Sequence, residues 1–242
     1  MSSTSEVGHN KNVANFSTAY AVLEEMGPLY NPSNSSITLG VLTPIKATLN
    51  TQVSRIDAAM AVYRADVADK KNAIKKMDKL ATKINNYFKS LDVPDNEKEN
   101  IASQVRRIRG DAPKKKAPAN PEQGDDKSIS NSRQSFDNKV ANFNTLIAQL
   151  EVFSEYAPNE DDLKIATLQA YTAELATLNA RAHVSDDALI TARAERNKTV
   201  YFNTSNVVGL MLKVKAYVRS LGPIARPYYE ALMRLKFTRI KQ

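Results

Sequence analysis

The chain has no cysteine, no tryptophan and only two histidines, His9 and His183, in 242 residues. Without cysteine there are no disulfides, no thiolate metal sites and no thiol nucleophile, and the redox compartment leaves no mark on the sequence. A histidine metal centre would need carboxylates to complete it. His9 lies in a polar stretch beside Asn10, and both histidines are expected to be ordinary exposed side chains. Only seven glycines and few β-branched runs leave too few turns for a β-sandwich or barrel. No run of about 18 apolar residues is present, so no membrane-spanning helix is expected. The longest apolar cluster, Val207 to Val214, is interrupted by Gly209 and Lys213. Met1 to Asn12 is polar, carries Glu6 and has neither the basic start nor the apolar centre of a secretion signal, so the expected compartment is the cytoplasm.

Catalytic signatures are missing as well. No glycine-rich phosphate loop is followed by Lys-Ser or Lys-Thr, and no serine has an identifiable base. The Glu-x-x-His spacing of di-metal bundles does not occur, since Ala180 stands three residues before His183. The acids Glu160, Asp161 and Asp162 are better explained as first-turn residues that favour a helix dipole. No enzyme activity, cofactor or metal is therefore expected.

What the sequence does contain is helical composition and a repeat. Alanine, leucine, lysine and asparagine dominate long stretches free of helix breakers, and a hydrophobic share of 42% is enough for a real core. Val13-Ala14-Asn15-Phe16 returns as Val140-Ala141-Asn142-Phe143, and Tyr30-Asn31-Pro32 as Tyr156-Ala157-Pro158. Tyr87 with Ser90-Leu91 returns as Tyr217 with Ser220-Leu221, and Arg107-Ile108 as Arg239-Ile240. A repeat of this length exceeds a solenoid unit and points to a duplicated helical module.

The expected fold is all-α: an elongated, pseudo-two-fold bundle of two tandem repeats, each with short, long and short helices, packed as one domain around a shared core. Residues 1–11 are expected to be a disordered tail, 12–110 the first repeat, 111–131 a flexible linker and 132–242 the second repeat. The linker carries Pro113, Pro118 and Pro121, the run Lys114-Lys115-Lys116 and almost no large apolar side chain. It cannot offset its own ordering entropy.

The first repeat keeps Ile45, Leu49, Val53, Ile56, Met60, Tyr63 and Val67 at steps of three or four, close to a coiled-coil heptad, with no Gly or Pro after Pro44. Between Leu49/Leu175 and Tyr87/Tyr217 the repeat offset grows from 126 to 130. A gain of four residues is about one helical turn, which a continuous helix absorbs as a stutter. Long helices are therefore expected over 36–91 and 160–221, the rival reading being a break near Ser185-Asp186-Asp187. The last helices are expected over Asp95 to Arg109 and Ile224 to Ile240.

Asn12-Val13-Ala14-Asn15-Phe16, Tyr30-Asn31-Pro32-Ser33, Arg107-Ile108-Arg109-Gly110, Ser132-Arg133-Gln134-Ser135-Phe136 and Leu235-Lys236-Phe237-Thr238-Arg239 resemble an uncharacterised bacterial family of duplicated all-helical proteins of about this length. The resemblance covers the chain apart from tail and linker. It implies a helical, full-length module and carries no catalytic residue.

Charge supplies the remaining candidates. From Arg196 to Gln242 ten bases face one acid, Glu230, and from Asp66 to Lys89 seven lysines face three aspartates. Candidate anion or nucleic-acid contacts are Lys75, Lys79, Lys83, Arg106 and Arg107 in the first repeat, and Lys213, Lys215, Arg219, Arg234, Lys236 and Arg239 in the second. Tyr217, Tyr228, Tyr229 and Phe237 are interleaved with the second set, as bases stacking on aromatics would require. Core aromatics beneath a solvated lysine face are the plainer explanation. The expected function is a non-enzymatic structural or protein-interaction bundle with a protein partner or self-association. Nucleic-acid binding through Arg196–Lys241 is the alternative, and a membrane-active amphipathic protein on an anionic surface a further one.

Overall fold

The computed structural model describes residues 4–110 and 135–239. The regular secondary structure of these residues is all helical, with no strand among them. The helices are α1 (Thr4–Glu25), α2 (Leu39–Lys89), α3 (Asp95–Arg109), α4 (Phe136–Leu150), α5 (Ile165–Asn197), α6 (Val207–Ser220) and α7 (Arg226–Arg234). The expected linker lies outside the described residues.

Two compact units divide the chain. One comprises Met1–Tyr63 with Ser185–Gln242, the other Arg64–Val184, so the boundaries fall inside α2 and α5 and not at the linker. The expected single shared core is instead two clusters of buried apolar side chains. In the first unit, Phe16, Ala19 and Leu23 of α1 and Leu42 and Leu49 of α2 pack with Val207, Met211, Val214 and Val218 of α6 and Leu232 of α7. In the second, Met77, Ile84 and Phe88 of α2 and Ile101, Val105 and Ile108 of α3 pack with Phe143, Ile147 and Leu150 of α4 and Leu168 and Leu175 of α5. Each unit thus joins the head of one half of the sequence to the tail of the other. Spacing of three and four along each helix puts these residues on one face, and each buried Leu or Phe contributes about 1.5–3 kcal/mol.

The 51-residue α2 runs without interruption, as its heptad spacing predicts. It passes through Pro44 near its start, where the missing N–H withdraws a single hydrogen bond. Three expectations fail. First, the chain is helical from Thr4, where a disordered tail was expected, and His9 and Asn12 are buried. Their partners come from residues about 190 positions away.

Second, the second long helix is broken, and the break is not at Ser185, which lies buried within α5. It falls at Asn203–Asn206, after a π-helical turn at Lys198–Phe202. The amide of Asn203 reaches back five residues to the carbonyl of Lys198 at 2.8 Å, and the Asn206 side chain caps α6 by accepting from the amide of Gly209 at 2.8 Å. A widened turn and a capped restart thus interrupt the stretch expected to run on as one helix.

Third, the last helix is shorter than expected. Gly222, with φ of 74°, turns the chain between α6 and a short 3-10 stretch, Gly222–Ala225. The nine-residue α7 stops at Arg234, and the described chain beyond it, residues 235–239, is not helical.

Candidate functional site

In the second unit, Lys75, Lys79 and Arg107 are exposed. Lys83 is paired with Asp162 at 2.5 Å, and Arg106 with Glu99 at 2.6 Å. A cleft of about 260 Å³ opens beside α3, lined by Asn85, Lys89, Lys98, Arg106 and Arg109 together with Asp95 and Glu99. Of the sequence candidates only Arg106 reaches it. The side-chain oxygen of Asn85 is buried without a hydrogen-bond partner. Neither Asn85 nor Lys98 stands out in sequence, because both sit among the polar residues that flank a core stripe.

In the first unit, Lys213, Arg219, Arg234, Lys236 and Arg239 are exposed. Lys215 is not: it is half-buried, its Nζ donates to the carbonyl of Leu235 at 2.6 Å and lies 5.3 Å from the Phe237 ring centre. Burial pulls its pKa below the ordinary lysine value. The two basic stretches therefore belong to different units. The interleaved aromatics are engaged inside: Tyr217 meets Tyr30 edge-on at 5.5 Å, and Tyr228, Tyr229 and Phe237 pack against the first core cluster. None is splayed out as a base-stacking platform.

A polar site that the sequence did not announce lies on α1. The Asn12 side chain donates to the Thr238 carbonyl at 2.9 Å and accepts from the Thr238 amide at 3.0 Å. Asn15 donates to the Lys236 carbonyl at 2.7 Å. Behind them the Tyr201 hydroxyl accepts from Asn12 at 2.9 Å and lies 2.8 Å from His9 Nδ1. Arg196 is fully buried nearby in sequence, bonded to Asn197 and Asn10. His9 is thus an interior group, contrary to expectation, whereas His183 is exposed.

Among the described residues no helix is long and apolar enough to cross a membrane. The chain matches no family model, no curated protein and no solved structure among those with which it was compared.

Proposed function

We propose that this chain is a non-enzymatic helical bundle that acts in the cytoplasm by binding another protein, or further copies of itself, along its helix faces. The observation that carries this reading is the poor cover of the two long helices. Between Ile56 and Ala73 the only buried residue of α2 is Asp66, and between Leu175 and Leu189 α5 buries only Ala182 and Ser185. Val62 is 56% exposed and Val184 69% exposed in these stretches. Long helices owe most of their stability to tertiary packing, and an interaction partner supplies what the chain leaves out. Light scattering after size exclusion, together with affinity capture, tests this. A stoichiometric partner, or higher-order self-association through the helix faces, that Val62→Asp and Val184→Asp weaken is expected; a monomer that captures nothing counts against the reading.

The tandem halves are further read as products of a duplication, on matched internal fixtures. The Tyr30 hydroxyl donates to the Ile37 carbonyl at 2.5 Å, and Tyr156 to the Leu163 carbonyl at 2.9 Å. Tyr30 meets Tyr217 edge-on at 5.5 Å, and Tyr156 meets Tyr87 at 5.4 Å. Ser90 and Ser220 bond back to the carbonyls of Tyr87 and Tyr217.

A second reading, nucleic-acid binding, is favoured by the exposed Lys213, Arg219, Arg234, Lys236 and Arg239, with Glu230 the one acid between Arg196 and Gln242. Phosphate contacts of this kind weaken steeply with salt. A salt titration against DNA and RNA decides it, and no binding at low salt removes it.

A further inference from the structure

The segment following α7 is held in an unusual way. Residues 235–239 make no helix, and burial alternates over 235–238: Leu235 and Phe237 are half-buried against the first core cluster, while Lys236 and Thr238 are exposed, as is Arg239 after them. That two-residue period is the signature of an extended chain with one face inward. The backbone of the segment is gripped by side chains of other elements. Asn12 on α1 pairs with both the amide and the carbonyl of Thr238, Asn15 on α1 takes the carbonyl of Lys236, and Lys215 on α6 takes the carbonyl of Leu235. Asn12 meets Thr238 as a neighbouring strand would, with one donor and one acceptor from a single planar amide. It is held in that pose by the Tyr201 hydroxyl, itself beside His9.

From these contacts we infer that α1 and α6 form a groove that binds extended peptides, filled in this structure by the chain's own residues 235–239, and that the same segment of a second copy occupies it in trans. Four hydrogen bonds go to main-chain atoms and are indifferent to sequence, while two inward positions select an aliphatic residue and, two places on, an aromatic one. This division, main chain for affinity and alternate side chains for specificity, is how strand-addition sites recognise peptides. Lys215, 5.3 Å from the Phe237 ring, adds a preference for an aromatic at the second position. Exchange of an identical segment between copies is a low-cost route to assembly, because every contact made in trans already exists in cis.

The groove is particular to one end of the repeat pattern. The string Val13-Ala14-Asn15-Phe16 recurs as Val140-Ala141-Asn142-Phe143, which makes Lys139 the counterpart of Asn12. Lys139 cannot offer a paired donor and acceptor, and it is instead bonded to Asp78 at 3.3 Å. The counterpart of 235–239 is part of α3, where Gln104 donates to the carbonyl of Asn142 at 2.8 Å. The inference concerns residues of the first unit alone and goes beyond the exposed faces of α2 and α5.

The test uses the full chain with a protease site inserted between Arg234 and Leu235. After cleavage, a fluorescent peptide of residues 235–242 is added and its anisotropy followed, with circular dichroism reporting that the helices persist. Saturable uptake of the labelled peptide is expected. Asn12→Ala, which removes both bonds to Thr238, should weaken uptake about tenfold or more. Peptides with Leu235→Ala and Phe237→Ala should lose binding, and the Lys236→Ala peptide should keep it. In the uncut chain, mixing two differently tagged copies should yield mixed assemblies that Asn12→Ala diminishes and Val184→Asp leaves intact, which separates this site from the helix-face reading. A cut protein that stays helical but takes up no peptide, uptake indifferent to Asn12, or tagged copies that never mix would each overturn the inference.

Discussion

At the scale of the residue, the informative groups are tyrosines whose hydroxyls are tied to buried carbonyls. Tyr30, Tyr156 and Tyr171 donate to the carbonyls of Ile37, Leu163 and Ala73. Removing one hydroxyl leaves a buried acceptor unpaired, so Tyr156→Phe should cost about 1–2 kcal/mol in urea unfolding. The same burial sets an alkaline limit. Desolvation pushes Tyr171 up to about 12, and it raises Tyr30 and Tyr156 as well. The unfolded chain then releases these protons at lower pH than the folded one. The stabilisation is complete below the ordinary tyrosine value of about 10 and is lost as pH rises through the folded value. Lys215 works the other way: its lowered pKa makes the fold gain stability as pH climbs towards the ordinary lysine value of 10.5. Urea midpoints should therefore fall in the tyrosine window above about pH 10, and the triple variant Tyr30→Phe, Tyr156→Phe, Tyr171→Phe should flatten that fall. An unchanged slope in the triple variant would show that other groups set the limit.

At the scale of the element, caps decide where helices restart. Asn206 both ends the break after the π-turn and caps α6 through the amide of Gly209. Asn206→Ala should cost about 1 kcal/mol, read as a lower melting temperature with the helical signal retained. A cost near zero would mean that α6 is positioned by its buried Val207, Val208 and Met211 alone. This break also shows what was legible in the sequence. The long α2 was visible because its apolar steps of three and four persist with no glycine or proline after Pro44. The break at Asn203–Asn206 was hidden, because the short polar run Asn203-Thr204-Ser205-Asn206 carries no Gly or Pro and is close to one helical turn in length. The start of α1 at Thr4 was hidden because its inward positions include His9 and Asn12, polar residues whose burial depends on Tyr201 and Thr238 far along the chain. Residues 235–239 were misjudged because a short apolar-basic-aromatic run fits helix and extended chain alike. The grip of Asn12 on that segment could not be seen before both were placed. The basic candidates were legible as charge, but composition alone could not say that Lys215 is half-buried or that Lys83 and Arg106 are already paired.

At the scale of the whole molecule, the consequence of the two units is that neither half of the sequence owns a core. Residues up to Gly110 supply Phe16, Leu23 and Leu49 to one cluster and Met77, Ile84 and Ile108 to the other. Residues from Ser135 onward supply Val207, Met211 and Leu232 to the first, and Phe143, Leu150 and Leu175 to the second. A polypeptide of residues 1–110 alone would leave both of its apolar faces open, and one of residues 135–242 would do the same. Folding either would forgo about 1.5–3 kcal/mol for each large side chain left uncovered, against a net stability of only about 5–15 kcal/mol for a typical domain. Expressed singly, each piece should show weak helical signal and no cooperative melt. Expressed together, the two should be recovered as one complex whose melting depends on concentration, as expected when folding and association are the same event. Cooperative melting of either piece alone, unchanged when the other is added, would contradict the core clusters themselves, because each cluster is built from residues of both halves.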